Sequence, residues 1–346
     1  MIQNELTRGE LLDPWGNLNE AGYAKTLIKT YERGAISARK SRIKEWDYYY
    51  IGNSQYGIAF TIADNSYMGL GSVSLLDFVN KKYITKSVMK WFTNGKLRLP
   101  ESSKVGDVEF LSNKCKLTFR NDGKRRILTV HFTKFDGIKD FDSEVELFDE
   151  PSESMVIATP FEKKHYFYYN QKINCMRAKG EARVGGKIYS FYEDDSFAVL
   201  DWGRGVWTYS NTWYWSSLNS KVNGKKIGFN LGYGFGDTSK ATENMLFYDG
   251  KAYKIEHVTF HIPQDEKGND DYLKPWTFTS NDKSVDLKFV PILDRYDNTN
   301  ALIIASRQHQ VFGKFSGTLV INGQKIVIKD LVGFAEKVKN RWKEES

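Results

Sequence analysis

Six dipeptides of the kind that close tight β-turns punctuate the chain: Asn94-Gly95, Asp122-Gly123, Gly185-Gly186, Asn223-Gly224, Asp249-Gly250 and Asn322-Gly323. Each lies between runs rich in Val, Ile, Phe, Tyr and Thr. A two-residue hairpin turn needs positive φ angles, which Asn, Asp and Gly supply at the least steric cost. Apolar and polar residues alternate beside several of them, as in Lys116–Arg120, Ile127–Phe132, Lys187–Tyr192 and Lys325–Ile328. This rhythm predicts an all-β chain, mainly antiparallel. The 51 aromatic residues, 9 Trp, 20 Tyr and 22 Phe among 346, agree with it, since aromatics favour strands and apolar pockets.

Helix signals are few. Asn19–Thr30 is expected to start a helix from Asn19, and Phe334–Lys343 is expected to form one with basic residues in its last turns. Two marginal helices beside many strands argue for β-barrels or sandwiches. The acidic, proline-bearing stretch Phe148–Pro160 breaks the strand rhythm, so the expected division is a β domain over 1–155 and a second over 156–346.

Several classes of function are disfavoured. No run approaches the roughly 18–20 apolar residues of a membrane helix, and the N-terminal residues lack a basic start followed by an apolar block. Two cysteines, Cys115 and Cys175, and no Asn-x-Ser/Thr acceptor site fit a reducing cytoplasm and buried thiols. The net charge of +7 is mild, and clusters such as Arg39-Lys40 or Lys124-Arg125-Arg126 have acidic neighbours, so nucleic acid is not an expected partner. His257 and His261 share a strand face, but no metal-site motif surrounds them, and no metal or cofactor is expected. The glycines of Gly232–Gly236 lack the spacing of a phosphate loop and read as room for bulky rings opposite them.

Residues 198–250 differ from the rest. Trp202, Trp207, Trp213 and Trp215 crowd into one tract, with Asp201 and Arg204 embedded among them. Trp213 and Trp215 are two apart on a predicted strand and share a face. Asn230 and Gly232 stand in the same relation on the next strand. Glu243, within Thr242-Glu243-Asn244, is a second polar island. An acid among tryptophans is partly desolvated, which raises its pKa and suits it to donate a proton near neutrality. A neighbouring guanidinium acts in the opposite sense, and a structural ion pair between Arg204 and Glu243 explains the same residues. The aromatic run around His165 can also line a cavity.

The tract resembles the signature of an uncharacterised bacterial family, the domain of unknown function 2804. The resemblance rests on LDWGRGVW (200–207), WYW (213–215), IGFNLGYGFGD (227–237) and TENMLFYDG (242–250). RIKEWDYYYIGN (42–53), Tyr67–Gly71, QVFGKFSG (310–317) and DLVGFAEKVKNRW (330–342) extend it over nearly the whole chain, with Thr208 standing where members carry proline. More distantly, the W-x-W strand followed by a Gly-rich strand is similar to the carotenoid hydratase and tocopherol cyclase group. That similarity implies two tandem lipocalin-like β domains.

Three functions follow as expectations. The first is an enzyme acting without a cofactor on an apolar small molecule, by hydration, isomerisation or cyclisation. In it Asp201 or Glu243 donates the proton, Trp202, Trp213 and Trp215 wall the pocket, and Arg204 and Asn230 orient the acid or the substrate, with Trp207, Asn244 and His165 as further ligand-binding candidates. The second is a non-catalytic carrier of a lipid or small molecule, which needs the aromatic lining alone. The third is a carbohydrate-active protein in which Asp201 and Glu243 form the carboxylate pair.

Overall fold

The computed structural model describes residues 2–207, 210–301 and 304–342. Among these the regular structure is strand, apart from two single 3-10 turns at Arg33–Ala35 and Lys40–Arg42. No helix among the described residues is long and apolar enough to cross a membrane.

Five of the six turn dipeptides close hairpins. Asn223-Gly224, Asp249-Gly250 and Asn322-Gly323 have positive φ at both positions, the type I′ arrangement whose twist matches that of the flanking strands. Asn94-Gly95 also has positive φ at both, but turns the chain after the Lys82–Trp91 strand without closing a hairpin.

Two large antiparallel sheets result, beside a two-stranded parallel pair of Gly9–Glu10 with Lys29–Thr30. The first, of 13 strands, follows the path Lys82–Trp91, Met68–Asp77, Tyr56–Asp64, Lys44–Gly52, Phe197–Val206, Phe167–Val184, Phe141–Phe148, Arg126–Phe132, Cys115–Asn121 and Val108–Leu111. The second, of nine, centres on Lys225–Tyr233, Ser210–Val222, Gln324–Trp342, Ile304–Ile321 and Val285–Ala301. The chain passes from one sheet to the other between Val206 and Ser210, about fifty residues beyond Phe148–Pro160. Within that stretch, Met155–Pro160 is a strand paired to Phe167–Lys172. Thr208 lies outside the described residues.

Neither expected helix forms. Residues 19–30 instead supply two short strands, Gly22–Ala24 and Lys29–Thr30. Gly22–Ala24 pairs with Val156–Ala158, which ties this segment to the first sheet. Phe334–Trp342 belongs to a strand hydrogen-bonded on both sides, to Ser210–Leu218 and to Ile304–Phe315 (Lys343 lies outside the described residues). Two neighbouring ladders satisfy every backbone group there, and that outweighs a helical spacing on one strand.

Each sheet curls round its own core. Ile51, Phe60, Phe119 and Trp202 are fully or almost fully buried inside the first, and Phe229, Trp276, Phe289 and Phe315 inside the second. A third apolar layer, with Tyr50, Val199, Trp215, Phe312 and Phe334, joins the outward faces of the two curls. Both interiors are filled with side chains, so the open space lies between the curls and not within either barrel.

Candidate active site between the two sheets

Strand alternation sorts the DWGRGVW segment into two sets. Asp201, Gly203 and Trp207 face the second sheet. Trp202, Arg204 and Val206 face inward. Trp202 packs edge-on against Tyr31 and Tyr169 in the first core. Arg204 is wholly buried there, with its guanidinium 4.3 Å from the Trp202 ring centroid. It pairs with Asp47 at 3.0 Å and Glu45 at 3.6 Å, and donates to the carbonyl oxygens of Pro100 and Trp46. Neither residue reaches the space between the sheets. The expectation that Trp202 walls a pocket and Arg204 orients its acid is therefore corrected, because steps of one and three residues from Asp201 along a strand both turn a side chain to the opposite face.

The outward faces enclose a pocket of about 330 Å³, a size suited to a small organic molecule. Trp46, Tyr48, Tyr168, Trp207, Trp213, Trp215 and Phe235 supply its aromatic walls. Trp46 is stacked on Tyr168 and edge-on to Trp207, while Phe235 meets Trp207 and Trp213. Gly203 makes the arrangement possible. A Cβ at that position would lie 2.2 Å from the Trp46 ring. Gly203→Ala is expected to displace the indole and cost about 1–3 kcal/mol by overpacking, measurable by urea denaturation and as a changed near-ultraviolet circular dichroism of the aromatic cluster.

Three carboxylates converge on the same space. Asp201 receives a hydrogen bond from the Trp46 indole at 3.1 Å and one from Asn170 at 2.6 Å, and forms an ion pair with Lys172 at 3.0 Å. All three contacts are donors to it, so its oxygens are occupied as acceptors. Lys172 also lies 4.7 Å from the Trp215 ring centroid.

Glu243 lies over Gly232, where a Cβ would fall 1.7 Å from its Oε1. Its segment is pinned from below. Asn244 accepts from the Gly232 amide and donates to the Glu256 carbonyl, while Asn230 accepts from the Trp215 indole and donates to the Glu243 carbonyl. The Thr242 amide donates to the Gln3 side chain. Asn230 and Asn244 thus position Trp215 and Glu243 from behind, without lining the pocket. Burial pushes the Glu243 carboxyl above its ordinary range and the Asp201 charge adds to this, against the attraction of Lys172 and Lys254.

The third acid, Glu336, had been concealed by the helical reading of its segment. As a strand, Phe334, Glu336 and Val338 fall on one face, and Glu336 is buried in the pocket wall. Its oxygens accept from the Trp213 indole and the Gln308 amide, each at 3.2 Å. Burial raises it from 4.5 to about 7, a rise that the Arg295 charge and these two hydrogen bonds only partly offset. Lys44, at the same pocket, is lowered to about 7 by burial and by the neighbouring Arg42. His165 is elsewhere, in the turn before Phe167–Val184 and outside the pocket lining.

The family model described as domain of unknown function 2804 matches residues 3–342. No curated protein sequence matches the chain. Among solved structures, an AttH candidate from Nitrosomonas europaea is similar at 12% identity and a TM-score of 0.53, over 89% of this chain and 97% of that one. Kievitone hydratase from Nectria haematococca reaches 13% identity and 0.47, over 96% of this chain and 98% of that one. CghA reaches 9% and 0.48, over 98% and 97%. The first likeness supports the fold alone, and the other two add nothing to it.

Proposed function

The chain belongs to the family of domain of unknown function 2804, and we propose that its pocket binds a small, largely apolar, unsaturated molecule and moves a proton on it. The observation that carries this reading is the convergence of Asp201, Glu243 and Glu336 on one aromatic-walled space between the sheets.

The roles divide by environment. Glu336, raised to about 7, holds a proton that it can give up near neutrality. Transfer of that proton to a carbon–carbon double bond leaves a cation on the neighbouring carbon. The faces of Trp213, Trp215 and Tyr168 stabilise such a cation by up to about 2 kcal/mol where water is excluded. Attack by water forms the new carbon–oxygen bond, and the proton released returns to a carboxylate, Glu243 or Glu336, so that the sum is hydration. Loss of a proton from carbon gives isomerisation, and capture by a second double bond gives cyclisation. Asp201 and Lys172, already paired, orient a polar end of the substrate.

The carrier reading uses the same walls without the proton transfer. A carbohydrate is the poorer fit, because the polar groups are engaged with one another: Gln310 with Tyr48 and Arg295, Glu336 with Trp213, Asp201 with Lys172.

Two measurements test the proposal. Titration with the neutral fluorophore N-phenyl-1-naphthylamine is expected to quench tryptophan emission, and Trp213→Ala should weaken binding about tenfold. Farnesol and chalcone, incubated with the protein in D2O, should acquire carbon-bound deuterium. Binding without deuterium incorporation would leave the carrier, and absence of binding would sink both readings.

A further inference from the structure

Between Val79 and Pro100 the chain carries Lys81, Lys82, Lys86, Lys90, Lys96 and Arg98, and neither Asp nor Glu. This stretch forms the Lys82–Trp91 strand and the turn after it. The strand is the edge of the first sheet, paired on one side only, to Met68–Asp77. Lysines on an edge strand commonly guard it against pairing with another chain. Guarding alone would keep large apolar side chains away from solvent. Here Trp91 is 59% exposed, Phe92 69% and Met89 47%. Phe92 also has φ 54, a region that a bulky residue adopts only at a cost.

The register connects this strip to the pocket. Leu70 lines the pocket and pairs directly across from Met89, and Met68 pairs with Trp91. Residues opposite one another on adjacent strands share a face. Met89 and Trp91 therefore continue the pocket wall outward to the rim of the sheet. Lys90 is engaged with the Leu111 carbonyl and the Phe110 ring. Lys82 and Lys86 alternate with Met89 and Trp91 and leave the edge on its other face, while Lys96 and Arg98 are exposed in the turn that follows Trp91, and Lys81 at the far end of the strand.

We infer that Lys82–Trp91 and the following turn form a docking surface for a membrane interface that carries anionic lipids. Trp91 and Phe92 enter the headgroup region, where aromatic rings are favoured, and Lys96 and Arg98 meet lipid phosphates. The pocket then opens along Met89 towards the bilayer, so an apolar molecule reaches it without crossing water. A nucleic acid would use the same charges but has no use for an exposed apolar strip that runs into a pocket. The inference rests on the strip and its charge, and stands apart from the proposed proton transfer.

Sedimentation of the full chain with sucrose-loaded vesicles tests it. The chain is expected to pellet with phosphatidylcholine vesicles containing about one-third phosphatidylglycerol and to be released as salt is raised. Pure phosphatidylcholine should retain little. Trp91→Ser/Phe92→Ser is expected to lower partitioning about tenfold, with Tm unchanged because both rings are exposed. Lys96→Gln/Arg98→Gln should lower it roughly fivefold per charge. Equal retention by neutral and anionic vesicles, or wild-type retention of the Trp91→Ser/Phe92→Ser variant, overturns the inference. So does a single-stranded oligonucleotide that displaces the vesicles and binds both proteins alike. Either variant should still bind N-phenyl-1-naphthylamine, which keeps failure of the docking surface distinct from failure of the pocket.

Discussion

Arg204→Met lowers the stability of the protein by about 3–5 kcal/mol, as read from urea denaturation at neutral pH. The guanidinium is fully buried and is the counter-charge for Asp47 and Glu45, both themselves buried. Methionine fills a similar volume but leaves Asp47 without its counter-charge and the Pro100 carbonyl without a donor, while Glu45 keeps Arg33 and Tyr31. The cost is that of uncompensated buried charge, and lost packing contributes little. Burial already pushes Asp47 upward against the pull of Arg204. Adding Asp47→Asn to Arg204→Met is therefore expected to recover part of the loss. A change below about 1 kcal/mol in the single variant, the level of an exposed ion pair, would show that the network carries little of the fold's stability.

The second large effect has the opposite sign. Burial raises Glu336 from 4.5 to about 7, whereas the unfolded chain ionises it near its ordinary value. Below pH 4 both states hold the proton and the shift costs nothing. As pH rises through the interval from 4.5 to 7, the unfolded chain gives up its proton first, so the folded state is progressively disfavoured. Above pH 7 the full penalty, about 3 kcal/mol, is present. Glu336→Gln removes the titration while keeping an acceptor for the Trp213 indole. It is expected to leave stability unchanged near pH 4 and to raise it by about 3 kcal/mol at pH 8. The same substitution should abolish deuterium incorporation into any active substrate, and wild-type incorporation should decline as pH rises past 7. Equal stability gains at pH 4 and pH 8 would contradict an ionising Glu336.

Much of the architecture was legible in the sequence. The turn dipeptides impose positive φ locally, so Asn223-Gly224, Asp249-Gly250 and Asn322-Gly323 announce their hairpins without help from the rest of the chain. The pairing of Trp213 with Trp215 on one face follows from the period of a strand alone. The terminal strand was not legible, because Phe334-Ala335-Glu336-Lys337-Val338 satisfies a helical and a strand period equally. Only the ladders on its two sides decide between them. Glu336 was missed for that reason, and Lys172 because an isolated lysine in a strand carries no local signal of the Asp201 opposite it. Trp202 and Arg204 were misassigned by proximity in sequence, although the same alternation that joined Trp213 to Trp215 separates Asp201 from both. The position of the pocket was beyond reach of the sequence, since it depends on how two sheets pack through their outward faces.

That packing has a consequence for change over time. Trp213, Gln308 and Glu336 line the space between the curls, while the residues that hold each curl together, such as Phe60 or Phe289, lie on the other side of the backbone. Substitutions in the lining alter what the pocket admits and leave both interiors as they were. A lineage can then exchange one cargo or one reaction for another by small steps, each of which still folds.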